Sequence, residues 1–228
     1  MLLRIPAMRF DPRQPTSTDE ALALQAKLAR CVVREDKLGP IRHVCGVDVQ
    51  YAREGSLACA AAVVLAFPAL EPVERGVARL SVSFPYVPGL LSLREAPAAL
   101  AALERLRVRP DLLLCDGQGI SHRRRFGLAC HLGLAADLPS IGVAKTRLVG
   151  EHRDVGAARG AWTPLLDRGE EIGAVLRTRA GVKPVFVSIG HRVSLATAID
   201  LVLACSPRFR IPEPIRAADL LARATVRE

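Results

Sequence analysis

An α/β fold built on one mixed sheet, with three antiparallel strands followed by parallel strands and helices on its flanks, is what this sequence predicts. Three observations carry that expectation. Apolar runs over residues 42–51, 57–67 and 73–84 follow one another through short polar turns, the pattern of an antiparallel meander. Residues 112–145 then read strand, helix, strand, which implies a parallel pair. Helical periodicity precedes the first strand and closes the chain. With 228 residues, half of them apolar, the chain can fill one core, and a single domain over residues 1–228 is expected.

Taken in order, residues 1–16 read as a lead-in. Ser17-x-x-Glu20 matches a capping box, and Leu22, Gln25, Leu28, Ala29, Val32 and Val33 recur at helical spacing to about Arg34. In the first strand, Val44, Cys45, Val47 and Val49 surround Asp48. Counting by twos puts Asp48 on the face of Val44, Gly46 and Gln50, which is either a solvated face or a functional one. Glu54-Gly55-Ser56 and residues 68–72 supply the two turns. The segment 84–97 is stiffened by Pro85 and Pro88 around Tyr86 and Val87, and Gly89 allows a bend. Tyr86 is a wedge for a base stack or an ordinary surface ring. Ser92-x-x-Glu95 matches a second capping box, which puts Glu95 in the first turn of a helix continuing over residues 98–106.

The central stretch, residues 111–133, is the richest in chemistry. The short apolar run Leu112 to Cys115 stops at Asp116, and Gly117, Gly119, His122 and the arginines 123 to 125 follow at once. Acid, glycines and guanidinium groups so close together suit a metal-bound phosphate, because a carboxylate alone repels phosphate; plain turn chemistry is the alternative. A helix over 127–137 and a strand over 139–145 follow, and Lys145 then stands at a strand end, level with Asp116, as a ligand contact or a snorkelling side chain. Residues 150–170 show no clear element, and Trp162 is expected to anchor them. Strands over 172–178 and 184–189 suggest a hairpin around Ala180-Gly181. His191 marks a strand-to-helix junction before Ser194 and a helix to about Cys205. Residues 210–216 form a proline-braced turn into a last short helix over 217–223.

Composition narrows the partners. The net charge is +9, carried mostly by arginine, the better phosphate fork, so a polyanion partner is expected. Six cysteines, at 31, 45, 59, 115, 130 and 205, form no C-x-x-C pair and read as buried hydrophobes in a reducing compartment. No segment approaches the roughly 18 to 20 apolar residues of a membrane span, and Arg4 and Pro6 interrupt the N-terminal apolar stretch too early for a secretory signal. A cytoplasmic monomer with no membrane contact is expected.

The three acids gain meaning together. One lies mid-strand in an antiparallel meander, one in the following helix and one at the end of the next parallel strand, a distribution that resembles the ribonuclease H-like fold. Such a cluster repels itself unless cations fill it, and two hard divalent ions roughly 3.5 to 4 Å apart would serve. The motifs GVDVQY at 46–51, PYVPGLLSLRE at 85–95, DGQGISHRRRFGLACHLG at 116–133, IGVAK at 141–145, SIGHRVS at 188–194 and IPEPIRAAD at 211–219 resemble those of the endonuclease V family, in order along nearly the whole chain.

That resemblance implies a Mg²⁺-dependent endonuclease, with Mn²⁺ as a substitute, acting on DNA that contains deaminated bases, chiefly deoxyinosine. It implies a cut at the second phosphodiester bond on the 3′ side of the lesion, leaving 3′-hydroxyl and 5′-phosphate ends. Carried over by position, Asp48, Asp116 and Glu95 hold the metal, His191 is the fourth member of the site, and Lys145 meets the phosphate. Tyr86, with Pro85 and Val87, is the wedge that fills the gap left by a flipped base. Gly89, Leu91, Gly117, Gly119 and His122 line the pocket that receives it. Gln118, Arg123 and Ala217 depart from residues common in relatives. Inosine-containing RNA as substrate, and a non-cleaving nucleic-acid-binding module with the same fold, are the competing readings.

Overall fold

The computed structural model describes residues 15–53 and 55–227. Most of the lead-in, and Glu54 of the first turn, lie outside the described residues. Helix α1 spans Thr18–Ala29 and starts as its cap predicts, the Ser17 hydroxyl accepting from the Glu20 amide at 3.2 Å. Glu20 reaches back one residue further than a capping box requires, accepting from the Thr16 amide at 2.9 Å. The helix ends at Ala29, short of the expected Arg34.

The meander is as expected, with strands β1 His43–Tyr51, β2 Leu57–Ala66 and β3 Glu71–Ser81 paired antiparallel in sequence. Helix α2 spans Leu91–Leu103, strand β4 Leu112–Asp116, helix α3 Leu128–Ala136 and strand β5 Ser140–Ala144. Strand β4 runs parallel to both β1 and β5, so the parallel part of the sheet is its centre. Strands β6 Trp162–Asp167, β7 Glu170–Leu176 and β8 Val185–His191 add an antiparallel second wing. The eight strands are ordered β3-β2-β1-β4-β5-β8-β7-β6. Helices α4 Leu195–Ala204 and α5 Glu213–Arg227 complete the chain.

Three further elements differ from expectation, each for a local reason. The second capping box does not form. Helix α2 begins at Leu91, after Leu90, which is buried and donates no side-chain cap, and the Ser92 hydroxyl is buried without a partner. Glu95 is therefore the fifth helical residue, beyond the first turn, where neither a cap nor the helix dipole explains an acid. The stretch 150–170 holds an edge strand, β6, whose inward residues are only Thr163 and Leu165. Pro164 suits an edge, and Trp162 is half exposed instead of anchoring a loop. Helix α5 starts at Glu213 and runs 15 residues, because Pro214 falls in its first turn, where no amide is needed.

Layering follows from β1. Cys45, Val47 and Val49 pack with α2 residues such as Ala99 and Leu103, while Val44 packs on the other face with Ile215 and Ala218 of α5. Gly46 is what lets α5 come so close, since a methyl group built there would lie 1.9 Å from the Pro214 carbonyl oxygen. The face shared by Val44, Gly46, Asp48 and Gln50 is thus covered by α5, not solvated.

Candidate metal centre and the loops beside it

Asp48 sits in the middle of β1 with its side chain buried, and Asp116 ends the neighbouring parallel strand β4. The third acid to join them is Asp219, carried by α5 across the same face. Asp48, Asp116 and Asp219 each offer a carboxylate oxygen, all within 4.8 Å of one another. Gln50 bridges two of them, donating from Nε2 to Asp48 Oδ2 at 2.7 Å and to Asp219 Oδ1 at 3.3 Å. Lys145 Nζ donates to Asp116 Oδ2 at 2.5 Å, and Arg223 Nε pairs with Asp219 at 3.0 Å.

Burial drives the electrostatics. Desolvation pushes the Asp48 carboxyl up to about 6, with repulsion from Asp116 and Asp219 adding to it and the Gln50 hydrogen bond and Lys145 opposing it. Glu95 goes further, to about 8, again chiefly by desolvation and then by Asp48 and Asp116; a Tyr51 hydroxyl bond at 3.4 Å and Arg94 resist the shift. These acids are costly to ionise together. A hard, oxygen-only donor set of this kind suits Mg²⁺ or Mn²⁺, which would relieve the repulsion.

The set differs from the expected one in two places. Asp219, the last residue of the quoted motif 211–219, replaces Glu95 as the third acid of the close triad among the described residues; Glu95 stands beside it, coupled to Asp48 and Asp116. His191 does not join the cluster. Strand β8 runs antiparallel to β5 and pairs His191 with Ser140, at the opposite end of β5 from Lys145, about 16 Å away at strand rise. Its buried ring accepts a hydrogen bond at Nδ1 from the Val33 amide at 3.2 Å, and desolvation lowers its pKa to about 4. His191 is a neutral structural acceptor that ties the chain after α1 to the sheet.

Two loops flank the acids. In the first, buried Phe84 and Leu90 anchor the ends against Ala21 and Leu93, so Pro85 and Tyr86 project outward, Tyr86 with 68% of its surface exposed, and Val87 packs behind. Leu91 is exposed at the start of α2. In the second, Gly117 donates to the Val143 carbonyl at 3.2 Å and Gly119 to the Ser188 hydroxyl at 2.8 Å, laying the loop over β5 and β8. His122 is buried, accepts at Nδ1 from the Arg124 amide at 3.2 Å, and is held neutral by desolvation and the adjacent arginines, its pKa lowered to about 4. Gln118 donates to the Thr146 carbonyl at 3.1 Å, Arg123 is exposed, and Ala217 lies beside Leu221 on α5.

The sequence model of the family described as Endonuclease V matches residues 26–220. Endonuclease V of Roseiflexus sp. (strain RS-1) is 58% identical over 213 residues, covering 93% of this chain and 95% of that protein. The crystal structure of endonuclease V from Streptomyces avermitilis superimposes with a TM-score of 0.91 at 47% identity, covering 97% of this chain and 98% of that one. Endonuclease V of Ciona intestinalis, solved in complex with a 24mer DNA containing an inosine followed by a ribo-adenosine, superimposes with a TM-score of 0.80 at 29% identity, covering 92% and 97%.

Proposed function

This chain belongs to the endonuclease V family, and from that membership we propose that it is a repair endonuclease acting on DNA with deaminated bases, chiefly deoxyinosine. The bond hydrolysed is the second phosphodiester on the 3′ side of the lesion, leaving 3′-hydroxyl and 5′-phosphate ends. The observation that carries the reading is the triad Asp48, Asp116 and Asp219, with Lys145 on Asp116. The inosine-containing strand bound by the Ciona relative supports the choice of substrate.

Asp48, Asp116 and Asp219 would hold Mg²⁺, which when bound supplies Lewis acidity at the scissile phosphate and a more acidic water. Lys145 keeps 42% of its side chain exposed while paired to Asp116, so its ammonium can meet a phosphate oxygen from the solvent side. Burial and then the neighbouring Asp48 and Asp116 push the Glu95 carboxyl up to about 8, which suits a group that would exchange a proton with the attacking water. Tyr86 is presented as the wedge, and Gly89, Leu91, Gly117, Gly119 and His122 frame the recess for the extruded base. Extrusion costs a few kcal/mol of stacking, which a stiffly mounted ring recovers in part.

The test is single-turnover cleavage of matched oligonucleotides carrying one deoxyinosine, one inosine or neither, with Mg²⁺ and with chelator. A metal-dependent nick 3′ to deoxyinosine is expected. A faster cut 3′ to inosine in RNA would transfer the substrate to RNA. Salt-sensitive binding without any cut would leave a non-cleaving module.

A further inference from the structure

The buried face of α1 consists of Ala21, Gln25 and Leu28, so a primary amide occupies the centre of an otherwise apolar stripe. Gln25 is 1% exposed. A buried amide is expensive unless its hydrogen bonds are made. Here both N–H groups are used, Nε2 donating to the Gly89 carbonyl at 3.0 Å and to the Phe126 carbonyl at 2.9 Å. The amide oxygen accepts from Arg124 Nε.

Those partners do not belong to one loop. Gly89 closes the loop that presents Tyr86, whereas Arg124 and Phe126 close the loop that contains Gly117, Gly119 and His122. Arg124 reinforces the link, its Nη2 donating to the same Gly89 carbonyl at 2.7 Å. Gly89 itself has φ +82°, and a methyl group there would lie 2.7 Å from Arg124 Nη2 and 3.6 Å from His122 Nε2. The positive φ strains any other residue there, a side chain would displace the Arg124 guanidinium, and the glycine carbonyl lies under two donors. Phe126 is fully buried, which fixes the second loop's end of the tie. None of the Gln25 bonds goes to an acid of the metal centre.

We propose that Gln25 is a positioning residue for lesion discrimination: its amide sets the spacing between the wedge loop and the base-pocket loop, independently of the metal centre. The proposal rests on the endonuclease V reading of these loops. A wedge and a pocket act together only if the gap between them matches one extruded nucleotide, and a misplacement of about 1 Å can cost two orders of magnitude in such a site. Three directed bonds from one amide hold that gap with no side-chain freedom left. No other residue of α1 bonds to both loops among the described residues.

Gln25→Met keeps length and apolar packing but orphans the Phe126 carbonyl and Arg124 Nε and leaves the Gly89 carbonyl to Arg124 alone, and Gln25→Asn keeps the amide while shortening its reach by one methylene. With each, kcat and KM are measured on deoxyinosine and undamaged strands, 2-aminopurine beside the lesion reports unstacking, and Mn²⁺ titration reports the acid cluster. The expected result is a rise in KM on the lesion strand of about tenfold, kcat within about twofold, a weaker 2-aminopurine signal and unchanged Mn²⁺ affinity. An unchanged ratio between lesion and undamaged strands in either folded variant overturns the proposal, as does equal loss on both strands. If Gln25→Met does not fold, Gln25→Asn decides. Failure of the wild-type protein to cut the deoxyinosine strand would instead remove the nuclease reading, and the proposal with it.

Discussion

Gly46→Ala tests whether the docking of α5 sets the metal centre. The new methyl group would lie 1.9 Å from the Pro214 carbonyl oxygen and 2.7 Å from the Ile215 amide, both backbone atoms that cannot rotate away. Ordinary contact needs about 3.4 Å, so strand and helix must part by about 1.5 Å, a typical overpacking strain of about 1–3 kcal/mol. The displacement reaches the site because Asp219 follows Pro214 on the same helix. Two oxygens on one Mg²⁺ at about 2.1 Å lie no more than about 4.2 Å apart. The triad's oxygens lie within 4.8 Å of one another, so a shift of about 1.5 Å in α5 is enough to take Asp219 out of reach of a shared ion. Mn²⁺ titration of the folded variant should show affinity weaker by about tenfold, and single-turnover cutting should slow by roughly 100-fold. A folded Gly46→Ala protein with native Mn²⁺ affinity and native rate would refute the claim that this contact positions Asp219.

Three other outcomes are expected. Asp219→Asn keeps a partner for Gln50 but loses one charge, so metal affinity should fall by about tenfold while binding to the strand holds or tightens in salt-controlled titrations; native metal affinity would exclude Asp219 from the ligand set. In chelator, stability should fall as pH rises. The Glu95 carboxyl is raised from 4.5 to about 8, so its contribution is full below pH 4.5 and lost through pH 8; melting curves across pH 5–9 should show this decline, Mg²⁺ should reverse it, and Glu95→Gln should flatten it. His191→Ala orphans the Val33 amide and should cost about 1–3 kcal/mol in denaturant melts, with Mn²⁺ affinity unchanged; selective loss of metal binding would return His191 to the acid site.

Much of the frame is a local matter. The runs that became β2, β4 and β5 are legible because a strand buried on both faces is apolar throughout, and the Ser17 cap because an orphaned amide needs a nearby oxygen. Asp116 was legible as an acid that ends a core strand. Glu95 was found for an incomplete reason: its motif was clear, but the helix starts at Leu91 through burial of Leu90, and that start removes the capping explanation.

By itself, then, the order of residues determined most of the strands and helices, the placement of Asp48 within one strand and of Asp116 at the end of another, and the family. Tertiary structure alone decided which acids meet and which end of the sheet each reaches. In sequence Asp219 is only the last residue of a motif that runs into the final helix, and only the approach of α5 at Gly46 brings it to Asp48. His191 looks like a strand-end ligand, and only the antiparallel course of β8 carries it to the far end. Gln25 looks like one more helical position until its amide is seen between two loops. Periodicity and caps arise from neighbours a few residues apart, whereas strand direction and helix docking depend on contacts between residues tens of positions apart, and at Gly46 and Pro214 well over a hundred.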